Sequence, residues 1–150
     1  MTPRFNHVAM SVARPLLEPT GRRDLLGFYG EVFGWTEMPT MSRDGELLVL
    51  RAHRNDQFVF LQVANDPMRC PSNDHVGFAV DTKVEFDAVL ERARGATNRY
   101  AGVEIRPEEP QDYGVLTLHA CYIRYRLPMM FEVQCFEWAE GFDAESQPSS

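Results

Sequence analysis

Three scarcities narrow what this chain does. Cysteine appears only as Cys70, Cys121 and Cys135. Three is an odd number, and no two are spaced as a metal pair or a redox pair, so the thiols read as reduced residues of a cytoplasmic protein. Long apolar runs are missing: nothing approaches the roughly 18–20 residues of a membrane span. The N-terminus has no apolar core followed by a small-residue cleavage site, so no secretion signal is expected. Positive charge is in deficit, with 15 Lys and Arg against 22 Asp and Glu, a net charge of −7 and a pI near 5.1. A nucleic-acid partner would want a basic face, so none is expected. What remains is enough apolar material for a packed interior, 44% hydrophobic and 11% aromatic over 150 residues.

The informative feature is a repeat. Asn6-His7-Val8-Ala9-Met10-Ser11-Val12 and Asp74-His75-Val76-Gly77-Phe78-Ala79-Val80 match almost position for position, 68 residues apart. Each has a polar residue, His-Val, a small residue, a bulky one, a small one and Val. Further on, Leu61-Gln62-Val63 matches Phe131-Glu132-Val133 at an offset of 70. The chain reads as one unit written twice, a first module at 1–66 and a second at 67–150, with the polar Ala64–Asn73 stretch and its two prolines between the copies.

Within each copy the periodicities alternate between strand and helix. Phe5–Val12 alternates with period two, placing His7, Ala9 and Ser11 on one face and Val8, Met10 and Val12 on the other. Asp74–Val80 divides the same way. Pro15, Pro19 and Gly21 predict a loop over 14–23, with Asp24 capping a helix that carries Leu25, Leu26, Phe28, Tyr29, Val32 and Phe33 and stops at Gly34. Strands are expected after Trp35 and at Glu46–His53 and Gln57–Val63. In the second copy Lys83–Arg94 predicts a helix with a Thr82/Glu85 capping box and an end at Gly95. Strands are expected at Val103–Arg106, Val115–Arg126 and Met130–Phe136. A polar tail from Ala139 is expected to fray at Gln147–Ser150. The fold class is therefore α+β: two βαβββ modules packed about a pseudo-twofold, with curved mixed sheets forming an open cup and helices outside.

His7 and His75 hold equivalent places beside small neighbours, which leaves room above the sheet. Glu132 lies in an otherwise apolar strand, where an unpaired buried carboxylate is costly. Two imidazoles and a carboxylate on one cup are a facial donor set for a divalent ion, with open positions for substrate oxygens. Gln62 is a fourth candidate, binding through its carbonyl oxygen or holding a water. Nickel, cobalt, manganese, zinc and iron all accept these donors. Glu132 is also the candidate catalytic residue, moving a proton. Phe60, Tyr113, His119 and Arg124 are candidate pocket residues, and His53 reads as surface.

With His7, His75 and Glu132 at these stations, the chain from Phe5 to Trp138 resembles the vicinal oxygen chelate superfamily. Phe28-Tyr29 followed by Val32-Phe33-Gly34-Trp35 is similar to the usual end of its first helix. The superfamily includes glyoxalase I, methylmalonyl-CoA epimerase, extradiol dioxygenases and the fosfomycin and bleomycin resistance proteins. The resemblance implies His7, Gln62, His75 and Glu132 as ligands, a small-molecule substrate and a homodimer. It implies a glyoxalase- or epimerase-like enzyme that binds vicinal oxygens at the metal. The other activities it admits are extradiol ring cleavage, thiol transfer to fosfomycin, and metal-free binding of an antibiotic.

Overall fold

The computed structural model describes residues 1–145, so the expected fraying at Gln147–Ser150 lies outside the described residues. Nine strands and two long helices follow in order: β1 His7–Val12, α1 Pro19–Phe33, β2 Thr36–Glu37, β3 Leu47–Arg51, β4 Phe58–Val63, β5 His75–Val80, α2 Lys83–Ala96, β6 Glu104–Pro107, β7 Gln111–Asp112, β8 Leu116–Arg124 and β9 Met130–Trp138. They form two open mixed sheets, ordered β1-β4-β3-β2 and β5-β9-β8-β6, with β7 beside β8. The orders coincide when β5 is laid on β1, β9 on β4, β8 on β3 and β6 on β2. In each sheet the His-bearing strand lies at the edge and pairs in parallel with the last strand of its own copy.

The bulky face of each strand supplies the core. Met10 and Val12 of β1, Val59 and Leu61 of β4, and Phe131, Val133 and Cys135 of β9 are almost completely buried. They pack against α1 through Leu25, Phe28, Tyr29 and Val32, and against α2 through Phe86, Val89, Leu90 and Ala93. The helices pack on each other, so both copies share one interior. Two polar links cross it. The Tyr29 hydroxyl donates to the Tyr125 carbonyl at 2.9 Å and accepts from the Tyr125 N–H at 3.1 Å. Arg92 of α2 donates from Nε to the Val32 carbonyl at 3.1 Å, satisfying an acceptor in the last turn of α1. Burial drives the Tyr29 hydroxyl far above its ordinary pKa, so it stays protonated as this bond requires.

Helix ends show where sequence rules apply and where they mislead. The Thr82/Glu85 capping box forms as expected, with the Glu85 N–H donating to Thr82 Oγ1 at 3.2 Å. That helix runs past Gly95 to Ala96. Gly34, at φ 72°, takes the left-handed position that closes α1, and the Trp35 N–H donates to the Tyr29 carbonyl at 3.2 Å. The other end of α1 departs from expectation. It starts at Pro19, not after Asp24, and a short 3-10 turn fills Arg14–Leu16. Pro19 occupies the first helical turn, where its missing N–H costs nothing. Gly21 is there for space: a Cβ would lie 2.2 Å from the Pro15 carbonyl oxygen. Gly21→Ala should therefore destabilise the protein by about 1–3 kcal/mol. A urea midpoint within error of wild type would refute that.

Candidate functional site

The register defines the site. In the second sheet His75 pairs with Met130 and Gly77 with Glu132, which puts the His75 ring over the Glu132 side chain. His75 Nε2 lies 3.1 Å from Glu132 Oε2. Glu132 is only 6% exposed, and the small Gly77 and Ala79 leave open space above β5. Across β9, Tyr122 is Glu132's direct partner on β8, and its ring meets His75 edge-on with centroids 5.1 Å apart. Burial, then the Glu132 charge and a hydrogen bond to that carboxylate, raise the Tyr122 hydroxyl above its usual pKa. The same charge and, chiefly, burial push the Cys121 thiol up to about 11, leaving it protonated.

In the first sheet His7 pairs with Phe58, Ala9 with Phe60 and Ser11 with Gln62. His7 is exposed and its ring stacks on Phe58 at 5.0 Å. The station that Glu132 holds in the second sheet, two residues up from the His, is therefore Phe60 here. Gln62 corresponds to Gln134, which sits beside Ala79. The sequence match of Gln62 with Glu132 is out of step, because the second copy has four more residues between its first and last strands. Gln62 stands four residues along from His7, about 13 Å at strand spacing, too far for both to hold one ion.

Among the described residues no group of three or more His, Cys, Asp or Glu is gathered as a metal cluster. The four-donor convergence expected from the sequence is thus not made within one chain; the His75–Glu132 pair is. That pair fits a divalent ion. Two donors each about 2.1 Å from one ion and at right angles to it stand about 3.0 Å apart, close to the 3.1 Å found. His75 Nδ1 donates to the Asn73 carbonyl at 3.0 Å, which leaves Nε2 for a ligand. His7 Nδ1 is engaged in the same way by Asn6 Oδ1 at 2.7 Å.

The pocket candidates separate. Phe60 lies on the His7 face of the first sheet. Tyr113 is exposed at the loop before β8, its hydroxyl 2.5 Å from Gln111 Oε1. Arg124 is ion-paired to Glu104 at 2.5 and 3.1 Å. His119 does not belong to the site. It alternates onto the helix side of β8, packs against Phe86 and donates from Nε2 to Glu137 at 2.7 Å. Alternation along Leu116–Arg124 was enough to separate it from Tyr122, had the Glu132 side of the strand been known. Sequence reasoning missed Tyr122 as a direct neighbour of Glu132, as well as Glu108 and Glu109. These three and Gln111, Leu118 and Ala120 line a cavity of about 230 Å³ beside Glu132. A larger cavity of about 500 Å³ lies at the junction of the copies, lined by Trp35, Phe58 and Phe78 among others, and contains none of His7, His75 and Glu132.

No family model matches the sequence, and no curated protein matches it. Solved structures do. A protein described as a possible glyoxalase from Bacillus cereus is 19% identical, with a TM-score of 0.60 over 89% of this chain and 100% of its own. The fosfomycin resistance protein FosX from Listeria monocytogenes is 18% identical, with a TM-score of 0.63 over 90% of this chain and 92% of its own. The chain has the vicinal oxygen chelate fold. A virulence protein from Salmonella typhimurium is similar too, 16% identical with a TM-score of 0.57 over 91% of this chain and 98% of its own. One FosX structure contains Mn(II) and 1S,2S-dihydroxypropylphosphonic acid. The vicinal oxygen chelate fold accounts for both sheets, both helices and the matching strand orders seen here. No helix among the described residues is long and apolar enough to cross a membrane.

Proposed function

We propose that this protein is a divalent-metal-dependent enzyme acting on a small substrate with vicinal oxygens, and that two chains complete each site. His75 and Glu132 of one chain and His7 of the partner subunit would be the protein donors, with Phe60 in place of a fourth. The observation that carries this reading is the 3.1 Å approach of His75 Nε2 to a buried carboxylate. Left without a cation, that carboxylate is held in a poorly solvated place. The unpaired edges of β1 and β5 and the exposed His7 suit closure by a second copy. The Mn(II) and the dihydroxy compound in FosX support the ion and the oxygen pair.

A bound divalent ion would supply polarisation of the substrate oxygens and stabilise negative charge developing on them. The chain's own residues do the rest. Glu132 takes a proton from the carbon or water next to those oxygens and returns it. Tyr122, whose hydroxyl donates to the Glu132 carboxylate, holds that carboxylate in place for the transfer. Phe58 and Phe60 of the partner subunit would wall the other side and exclude water. This is the proton-transfer chemistry of a glyoxalase or epimerase.

Equilibrium dialysis against Mn(II) should find about one ion per chain, and sedimentation should find a dimer at micromolar concentration. A monomer that binds no ion would end the proposal.

A further inference from the structure

One row of side chains crosses the second sheet on the site face. The register aligns Gly77 with Glu132, Glu132 with Tyr122 and Tyr122 with Arg106, so Arg106 stands two strands from the Glu132 carboxylate. Two strand spacings set the Arg106 and Glu132 backbones about 10 Å apart. The Arg106 side chain leans back along the row. Its guanidinium lies 4.5 Å from the centre of the Tyr122 ring, and its Nε is 3.4 Å from Glu108 Oε1. The Tyr122 ring in turn meets His75 edge-on.

Those two contacts fix the guanidinium without using it up. Nη1 and Nη2 have no partner among the described residues, and they stand beside the Tyr122 wall of the 230 Å³ cavity that also reaches Glu132. Arg124, on the same face, is fully engaged: it gives two nitrogens to Glu104 and the third to the Pro128 carbonyl at 3.1 Å. A guanidinium edge with two parallel N–H groups matches the two oxygens of a carboxylate. Glu108 and Glu109 stand on the same rim, so one guanidinium suits a monoanion better than a dianion.

We infer that Arg106 is a specificity-determining residue of the site and that the substrate carries a carboxylate beside its vicinal oxygens. A carboxylate about one strand spacing, roughly 5 Å, from the metal-bound oxygens reaches the guanidinium while those oxygens stay on the ion. The inference rests on the metal-site reading given above and adds to it the charge and length of the substrate.

Two probes of one shape separate the outcomes: 3,4-dihydroxybenzoate and its uncharged amide, 3,4-dihydroxybenzamide. Each is titrated without oxygen into the Mn(II)-loaded protein, with water-proton relaxation as readout. The acid-to-amide affinity ratio should be about tenfold higher in the wild type than in Arg106→Gln. Comparing ratios cancels the probes' own difference in metal affinity. Arg106 is exposed on the edge strand β6, so the variant keeps its fold. Its Mn(II) affinity and its binding of the amide should match the wild type. An unchanged ratio, or a variant that loses the amide or Mn(II) together with the acid, overturns the inference and leaves the metal site standing. A wild-type protein that binds no Mn(II) overturns both.

Discussion

Mixed in equal amounts and allowed to exchange subunits, His7→Ala and Glu132→Gln chains should recover about a quarter of the wild-type metal sites, although each variant alone binds no ion tightly. The arithmetic follows from where the donors lie. His75 and Glu132 touch across β5 and β9, while His7 sits exposed on a different sheet and joins no cluster with them. If each site takes His7 from one chain and the other two donors from its partner, half of the randomly re-formed dimers are mixed. Each mixed dimer has one site with all three donors and one with both lesions. Mn(II) binding read by relaxation or dialysis decides the matter. No recovery on mixing, with subunit exchange shown by mass, would mean that the donors never meet between chains. Glu132→Gln keeps the shape of the side chain, so its loss of binding reports on charge and not on packing.

The second large effect concerns stability. Phe131→Ala should cost about 3–5 kcal/mol. Phe131 is fully buried, and its ring stands edge-on to Tyr29, Trp35 and Phe78 at centroid distances of 5.5, 5.2 and 5.5 Å. Two of those rings come from the first copy and one from the second, so the truncation leaves a cavity where the copies meet. Its aromatic lining is fixed by several partners at once and has little freedom to collapse inward. Chemical denaturation should show one transition moved to a much lower midpoint. A loss under 1 kcal/mol, or a split into two transitions, would contradict the single shared interior.

Much of this was legible in the residues. The alternation around His7 and His75 placed both on open faces beside small neighbours, and the same alternation buried Met10, Val12, Phe131 and Val133. Glu132 stood out as a carboxylate in an apolar strand, and it does lie against His75. What the sequence concealed was spacing. Gln62 and Glu132 look equivalent when flanking apolar residues are aligned, yet pairing with the first strand makes Phe60 the counterpart. Insertions between strands are invisible to local pattern matching, whereas backbone register counts from the hydrogen bonds. The start of α1 was hidden for a related reason. Pro19 and Gly21 break helices in general, but the first is harmless in an opening turn and the second answers to the nearby Pro15 carbonyl. His119 needed knowledge of which side of β8 faces α2.

The Tyr29–Tyr125 link has a mechanical consequence. One hydroxyl clasps both backbone groups of a residue 96 positions away, at the seam between the two halves of the chain. Loosening that seam would strand a buried donor and a buried acceptor together, a cost of about 1–3 kcal/mol for each. Those two bonds thus brace the chain against opening between its halves.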